Sequence, residues 1–326
     1  MTLSIDKKIA IDILRRMLLI RTTEETIAQK YPEGKMRCPT HLCTGQEAVA
    51  AVVGVVLRND DFAISTHRAH GHYLGKGGDV NSMIAEIYGK VTGCSAGKGG
   101  SMHLIDKEVG FMGSTAIVGG TIPVGVGLGF SIQLHGGDQV SCVFLGDGAI
   151  EEGVFYESVN FAVLKKLPVL FICENNLYSV YSSLKVRQPE GRKIYKMVEG
   201  LGIKSDCGDG NNAIEVYEKL APTIKEIRNG DGPRFFEFST YRWREHCGPN
   251  FDNNIGYRTE AEYLEWKEKD PVKYMKSRLV DECILTNEEM HSMENDIQIK
   301  VNAAFDFAEN SEFPSEEDLF TYVYAE

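Results

Sequence analysis

The chain has 326 residues, 43% hydrophobic and 25% charged, which suits a folded globular protein and excludes a disordered or fibrous one. A net charge of −12 argues against nucleic acid or an anionic membrane as the main partner. The longest apolar stretch, around Val163 to Cys173, is broken by Lys165, Lys166 and Pro168 and falls short of the ~20 residues a bilayer requires, so no membrane partner is expected.

In chain order, the opening Met1-Thr-Leu-Ser-Ile-Asp-Lys-Lys carries no cationic-then-apolar export signal, and a cytoplasmic location is expected. Apolar residues at 9, 13, 17 and 20, with Lys8, Arg15 and Arg16 off that stripe, predict an amphipathic helix facing core or another subunit. A small apolar helix follows over 48–56, then a strand over 61–66 that leads into a His/Arg cluster. Residues 75–120 are rich in glycine, with a helix over 82–88, and read as loop territory where sites are built. Next come a helix over 121–135, a strand over 140–145, a helix over 151–165 and a strand over 168–173. A helix over 213–228 and a strand over 234–239 complete the alternation. It predicts an α/β fold, a mostly parallel sheet with helices on both faces. Residues 241–258 form a polar loop, and a charged helical extension starts at about 259. Gly125-Val-Gly-Leu-Gly129 lacks the G-x-G-x-x-G spacing and reads as close helix packing. Eight cysteines without CxxC or zinc-like spacing read as reduced thiols.

The most informative run is Gly146-Asp147-Gly148, followed by a helix, an apolar strand and Asn175-Asn176. It reads as a magnesium-diphosphate clamp. Asp147 and Asn176 end two strands expected to lie side by side, so both side chains could reach one ion, joined by the backbone carbonyl of Tyr178. Gly146 and Gly148 let the backbone approach phosphate oxygens, and a helix beginning near Ala149 would aim free N–H groups at them. Arg68, beside His67, suits bidentate contact with a diphosphate. His41, His70, His103 and His246 are candidate proton handlers. A zinc site at 67, 70 and 72 lacks a completing Cys or carboxylate.

With these motifs the chain resembles the α subunits of thiamine-diphosphate-dependent 2-oxo acid and acetoin dehydrogenases. The likeness is carried by His41-Leu-Cys-Thr-Gly-Gln-Glu47, His67-Arg-Ala-His-Gly-His72, Gly97-Lys-Gly-Gly-Ser-Met-His103, Ile117-Val-Gly-Gly120, the Asp147 to Asn176 unit, Thr240-Tyr-Arg and Gly256-Tyr-Arg-Thr259. The resemblance implies thiamine diphosphate and Mg2+ as cofactors. It places Arg68 on the cofactor, His70 and His246 beside its reactive ring, His41 as a neighbour, and the backbone from Ala116 to Val118 against its pyrimidine. It implies a single cofactor-binding domain over 1–326 holding the diphosphate half-site. A β subunit would complete an α2β2 heterotetramer, because 326 residues are too few for two half-site domains of about 150 to 200 residues each with the extensions. The N-terminal helix and segment 119–129 are then candidates for subunit contact. The implied activity is cleavage of a 2-oxo acid or acetoin, with transfer of the acyl fragment to a lipoyl-bearing acyltransferase. The alternatives are a thiamine-dependent carboligase working without a lipoyl partner, or a non-catalytic scaffold. His67 stands where pyruvate-type relatives carry Tyr, and His-Arg-x-His-Gly-His is the form of acetoin-type members. Arg244, Glu245 and Cys247 depart from the family's His-Gly-His-Ser pattern. The lost Ser excludes kinase control there, and Arg244 is expected either to bind a substrate anion or to pair with Glu245.

Overall fold

A computed structural model describes residues 4–321, so both tips of the expected 1–326 domain lie outside the described residues. Six strands form one parallel sheet in the order β2-β1-β3-β4-β8-β7. They are β1 (Phe62–Ser65), β2 (Phe111–Ser114), β3 (Ser141–Gly146), β4 (Val169–Asn175), β7 (Lys204–Asp209) and β8 (Arg234–Ser239). A small antiparallel pair, β5 (Tyr178–Ser179) and β6 (Ser182–Ser183), follows β4.

The central strands carry apolar runs, Cys142 to Leu145 in β3 and Val169 to Cys173 in β4, because both faces of a parallel sheet are covered. Cys142 and Phe144 of β3, Leu170 and Ile172 of β4, and Phe236 and Phe238 of β8 enter one core. That core is closed by α1 (Lys7–Lys30), α2 (Glu47–Val56), α3 (His70–Lys76), α4 (Val80–Ile87), α9 (Ala213–Arg228), α11 (Pro271–Asp281) and α12 (Asn287–Asn310). The alternate residues Val143, Leu145, Val169, Phe171, Cys173 and Phe235 enter a second core under α5 (Thr121–Leu134), α6 (Gly153–Lys165) and α8 (Ile194–Glu199). Two short elements remain, α7 (Leu184–Arg187) and α10 (Glu260–Glu268).

The stripe of α1 takes the core alternative: Ile13, Leu14, Met17 and Ile20 are fully enclosed within the chain. Two expectations are corrected. The helix after Asp147 begins at Gly153, not near Ala149, because residues 147–151 form a tighter 3-10 turn and Glu152 is extended. Of the α5 glycines, Gly125 and Gly129 do face the sheet, where a Cβ would stand 2.3 Å from Val143 and 2.4 Å from Val169, but Gly127 faces open space.

Candidate active site

The strand order reverses at β1 and β3: the chain goes outward from β1 to β2, then returns to β3 and continues the other way through β4. Ligand clefts of open α/β sheets lie outside the strand ends at such a point. Here β1 runs into Thr66, His67 and Arg68, β2 into Ala116, Val118 and Gly119, β3 into Asp147, β4 into Asn176, and β8 into the loop carrying His246. His41 and Gln46 reach in from the segment before α2, and all of these residues line one cleft.

The floor is acidic. β3 and β4 pair with Gly146 opposite Glu174, so Asp147 and Asn176 come just past the two paired strand ends and both line the cleft. Asp147 is buried, and its carboxylate is ion-paired to Arg187, which also holds Glu151 at 2.6 Å. Burial pushes the Asp147 carboxyl above the usual range, while Arg187 opposes that. Asn176 Oδ1 accepts from the N–H of Tyr178 at 3.2 Å, fixing the turn that carries the Tyr178 carbonyl. Gly148 is needed where this turn meets β5, since a Cβ there would lie 2.6 Å from Ser179 Oγ.

The opposite wall is basic. Arg68 donates from Nη1 to the Leu42 carbonyl at 2.6 Å and from Nη2 to the His246 carbonyl at 3.2 Å. His41, His67 and His246 surround it with ring centroids 4.8 to 5.4 Å apart and ligand atoms within 4.8 Å of one another. Burial first and the Arg68 charge second lower all three, His41 to about 2, His67 to about 3 and His246 to about 4. At pH 7 the His246 ring is therefore neutral. Arg68 also argues against a cation among these rings, because Nη2 is 3.5 Å from His246 Nδ1. A buried guanidinium ringed by imidazoles suits a polyanion instead.

The chain matches the family described as "Dehydrogenase E1 component" over residues 15–317. It belongs to that family. It is 37% identical over 308 residues to the pyruvate dehydrogenase E1 component subunit alpha of Rickettsia typhi, covering 94% of this chain and 93% of the relative. It is 34% identical over 331 residues to the pyruvate dehydrogenase E1 component subunit alpha-3, chloroplastic, of Arabidopsis thaliana, covering 100% of this chain and 76% of the relative. The corresponding alpha subunit of Porphyra purpurea is 34% identical over 317 residues, with 95% and 91% covered. This E1 chain is thus an alpha-type subunit of a thiamine-diphosphate-dependent 2-oxo acid dehydrogenase component, an oxidoreductase that works in a multienzyme complex. Among its described residues no helix is long and apolar enough to cross a membrane.

Two expected site residues of the E1 chain lie elsewhere. His70 is fully buried in α3 and does not line the cleft; its Nδ1 is 2.6 Å from Glu24 and its Nε2 2.8 Å from Ser101, so both nitrogens are engaged inside the core. His103 is exposed and also outside the cleft. Arg244 follows neither expectation: it pairs with Glu25 of α1, donates to the Pro249 carbonyl, and stacks 4.7 Å over Phe251. Glu245 closes its own loop, accepting from the Asn250 N–H at 2.9 Å. Gln46 and Glu174 were not singled out from sequence, although each sits within a quoted motif or directly before one.

Proposed function

We propose that this chain is the α subunit of an α2β2 2-oxo acid dehydrogenase whose cleft binds Mg2+ and the diphosphate of thiamine diphosphate at an α/β interface. The observation that carries it is the polarity of the cleft: a buried carboxylate with amide and carbonyl oxygens on one wall, a guanidinium among three neutral imidazoles on the other. Asp147, Asn176 and the Tyr178 carbonyl form a hard oxygen set that suits Mg2+. The buried Asp147 carboxylate already takes a cationic partner in Arg187, so the donor set fits a cation. Arg68, with His41, His67 and His246 as N–H donors, holds the diphosphate. The backbone of Gly146, Gly148 and Ala149 lies close to it, and Ala116 and Val118 border the ring-bearing end.

When bound there, thiamine diphosphate would supply the nucleophilic carbon chemistry that decarboxylates a 2-oxo acid. This chain binds and orients that group and excludes water. The β subunit is expected to cover Ile117 and Val118, which are 68% and 49% exposed at the cleft rim. A lipoyl-bearing acyltransferase is the proposed acceptor and the cytoplasm the proposed location. His67, in the form seen in acetoin-type members, favours acetoin as a second substrate class. The test is co-purification with the β subunit and a screen of 2-oxo acids and acetoin with an artificial electron acceptor. Thiamine- and Mg2+-dependent turnover only with both chains is expected; full turnover by this chain alone would overturn the reading.

A further inference from the structure

One cleft residue has a role that the ligand set above does not use. Glu174 is the next-to-last residue of β4 and lies opposite Gly146, the residue before Asp147. Its side chain is only 10% exposed. Oε2 lies 3.0 Å from His72 Nε2, His72 Nδ1 lies 2.7 Å from Ser65 Oγ, and the imidazole is stacked 3.7 Å from the ring of Phe144. Ser65, His72 and Glu174 therefore form a rigid chain from the end of β1 to the cleft floor. At its far end Oε1 is enclosed and has no hydrogen-bond partner, although Glu174 lines the cleft. A buried acceptor left without a partner costs free energy, so the occupant of the cleft should bring a donor. A diphosphate offers only acceptor oxygens near neutral pH, and a carboxylate facing it directly would be repelled. A divalent ion that holds back part of its hydration shell offers O–H donors, and Mg2+ dehydrates reluctantly.

We propose that Glu174 is a positioning residue for the cation, its Oε1 accepting a hydrogen bond from a water carried on the ion. The inference rests on the cation site proposed at Asp147 and Asn176. It assigns the Ser65, His72 and Glu174 chain to holding that water in one place, and it makes the cleft select ions that keep water over ions that shed it. Outer partners of this kind typically change metal affinity 10- to 100-fold.

The experiment uses the full chain with its β subunit at fixed thiamine diphosphate. Mg2+ is titrated by calorimetry, and Mn2+ in its place is followed by solvent-proton relaxation, which reads ion-bound water directly. Glu174→Met, which removes the acceptor at similar volume, should weaken Mg2+ binding 10- to 100-fold and change the relaxation of the Mn2+ form. Glu174→Gln, which keeps a neutral acceptor, should recover part of the loss, and it serves as the decisive variant if Glu174→Met does not fold. Binding within twofold of the parent together with unaltered Mn2+ relaxation, in either folded variant, would overturn the proposal. Asp147→Ala separates the two readings. Lost Mg2+ binding there with parental behaviour of the Glu174 variants rejects the water alone, whereas parental Mg2+ binding in Asp147→Ala rejects the cation site and this inference with it.

Discussion

Asp147 and His246 show how burial decides what a residue can do. Asp147 is nearly inaccessible and held by Arg187, so its carboxylate has a place in the fold only with a cation beside it. Asp147→Ala should leave the chain folded, by circular dichroism, and remove Mg2+-dependent retention of thiamine diphosphate in equilibrium dialysis; normal retention would reject the assignment. For His246, a pKa lowered to about 4 by burial and Arg68 makes the ring a hydrogen-bonding group at pH 7 and a poor proton source. Hydrogen bonds to charged groups contribute about 1.5–3 kcal/mol. His246→Ala should therefore raise the cofactor dissociation constant roughly 10- to 100-fold, and His246→Gln, which retains a donor, should restore most of it. A large fall in kcat with unchanged cofactor affinity in His246→Gln would return the residue to an acid–base role. None of this could be read from residue type: a histidine in a polar loop looks like a proton handler until the guanidinium beside it is known.

Elements with a strong apolar pattern were legible, and those without one were not. Strands β3, β4 and β8 and helices α2, α5 and α9 fall within a few residues of expectation, because covered strands hold apolar runs and the helices are either apolar along their length, as α2 and α5, or striped, as α9. The edge strand β7 reads Lys-Ser-Asp-Cys-Gly-Asp and is recruited by pairing with β8 alone, which leaves no hydrophobic pattern to read. Helix α3 was hidden by Gly71 and Gly75, which are there for contact: a Cβ at Gly75 would lie 2.4 Å from the Ala50 carbonyl, and one at Gly54 1.6 Å from the Gly75 carbonyl. Gly54→Ala must push α2 and α3 apart and should destabilise by about 1–3 kcal/mol or more in urea unfolding, the usual cost of overpacking; an unchanged midpoint would contradict the close crossing. The glycine-rich stretch was expected as loop, yet its shape is set from within a helix. Glu86 of α4, fully buried, accepts the backbone N–H of Ser95 and Gly97 on Oε2 and those of Gly99 and Gly100 on Oε1, at 2.7 to 3.0 Å. A single carboxylate thus organises the six residues 95–100. Glu86→Ala should cost about 2–4 kcal/mol, since four half-buried donors lose their charged partner, as read by the same unfolding measurement.

For the molecule as a whole, the cleft is a charge device that ties stability to pH. Its rim and the outer faces of α5 and α6 leave Ile117, Val118, Val124, Leu134 and Leu164 exposed, consistent with a partner surface there. Because His41, His67 and His246 stay neutral in the folded chain, the unfolded chain binds more protons than the folded one below about pH 6.5, and stability falls as pH falls through that value. The partly screened set should cost about 2 kcal/mol between pH 7 and 5.5. His67→Asn should flatten the slope in urea unfolding, and an equal slope in that variant would refute the origin. Arg187 adds a consequence in time. Its guanidinium holds Oδ2 of Asp147 and is itself tethered to Glu151 and to the Ser182 carbonyl at 3.1 Å. Under the proposed cation site, loading would then be an exchange of one positive charge for another at that oxygen and not an addition to an open seat. In stopped-flow mixing, the observed rate should level off with rising concentration at the speed with which the arginine lets go, and Arg187→Ala should remove that ceiling.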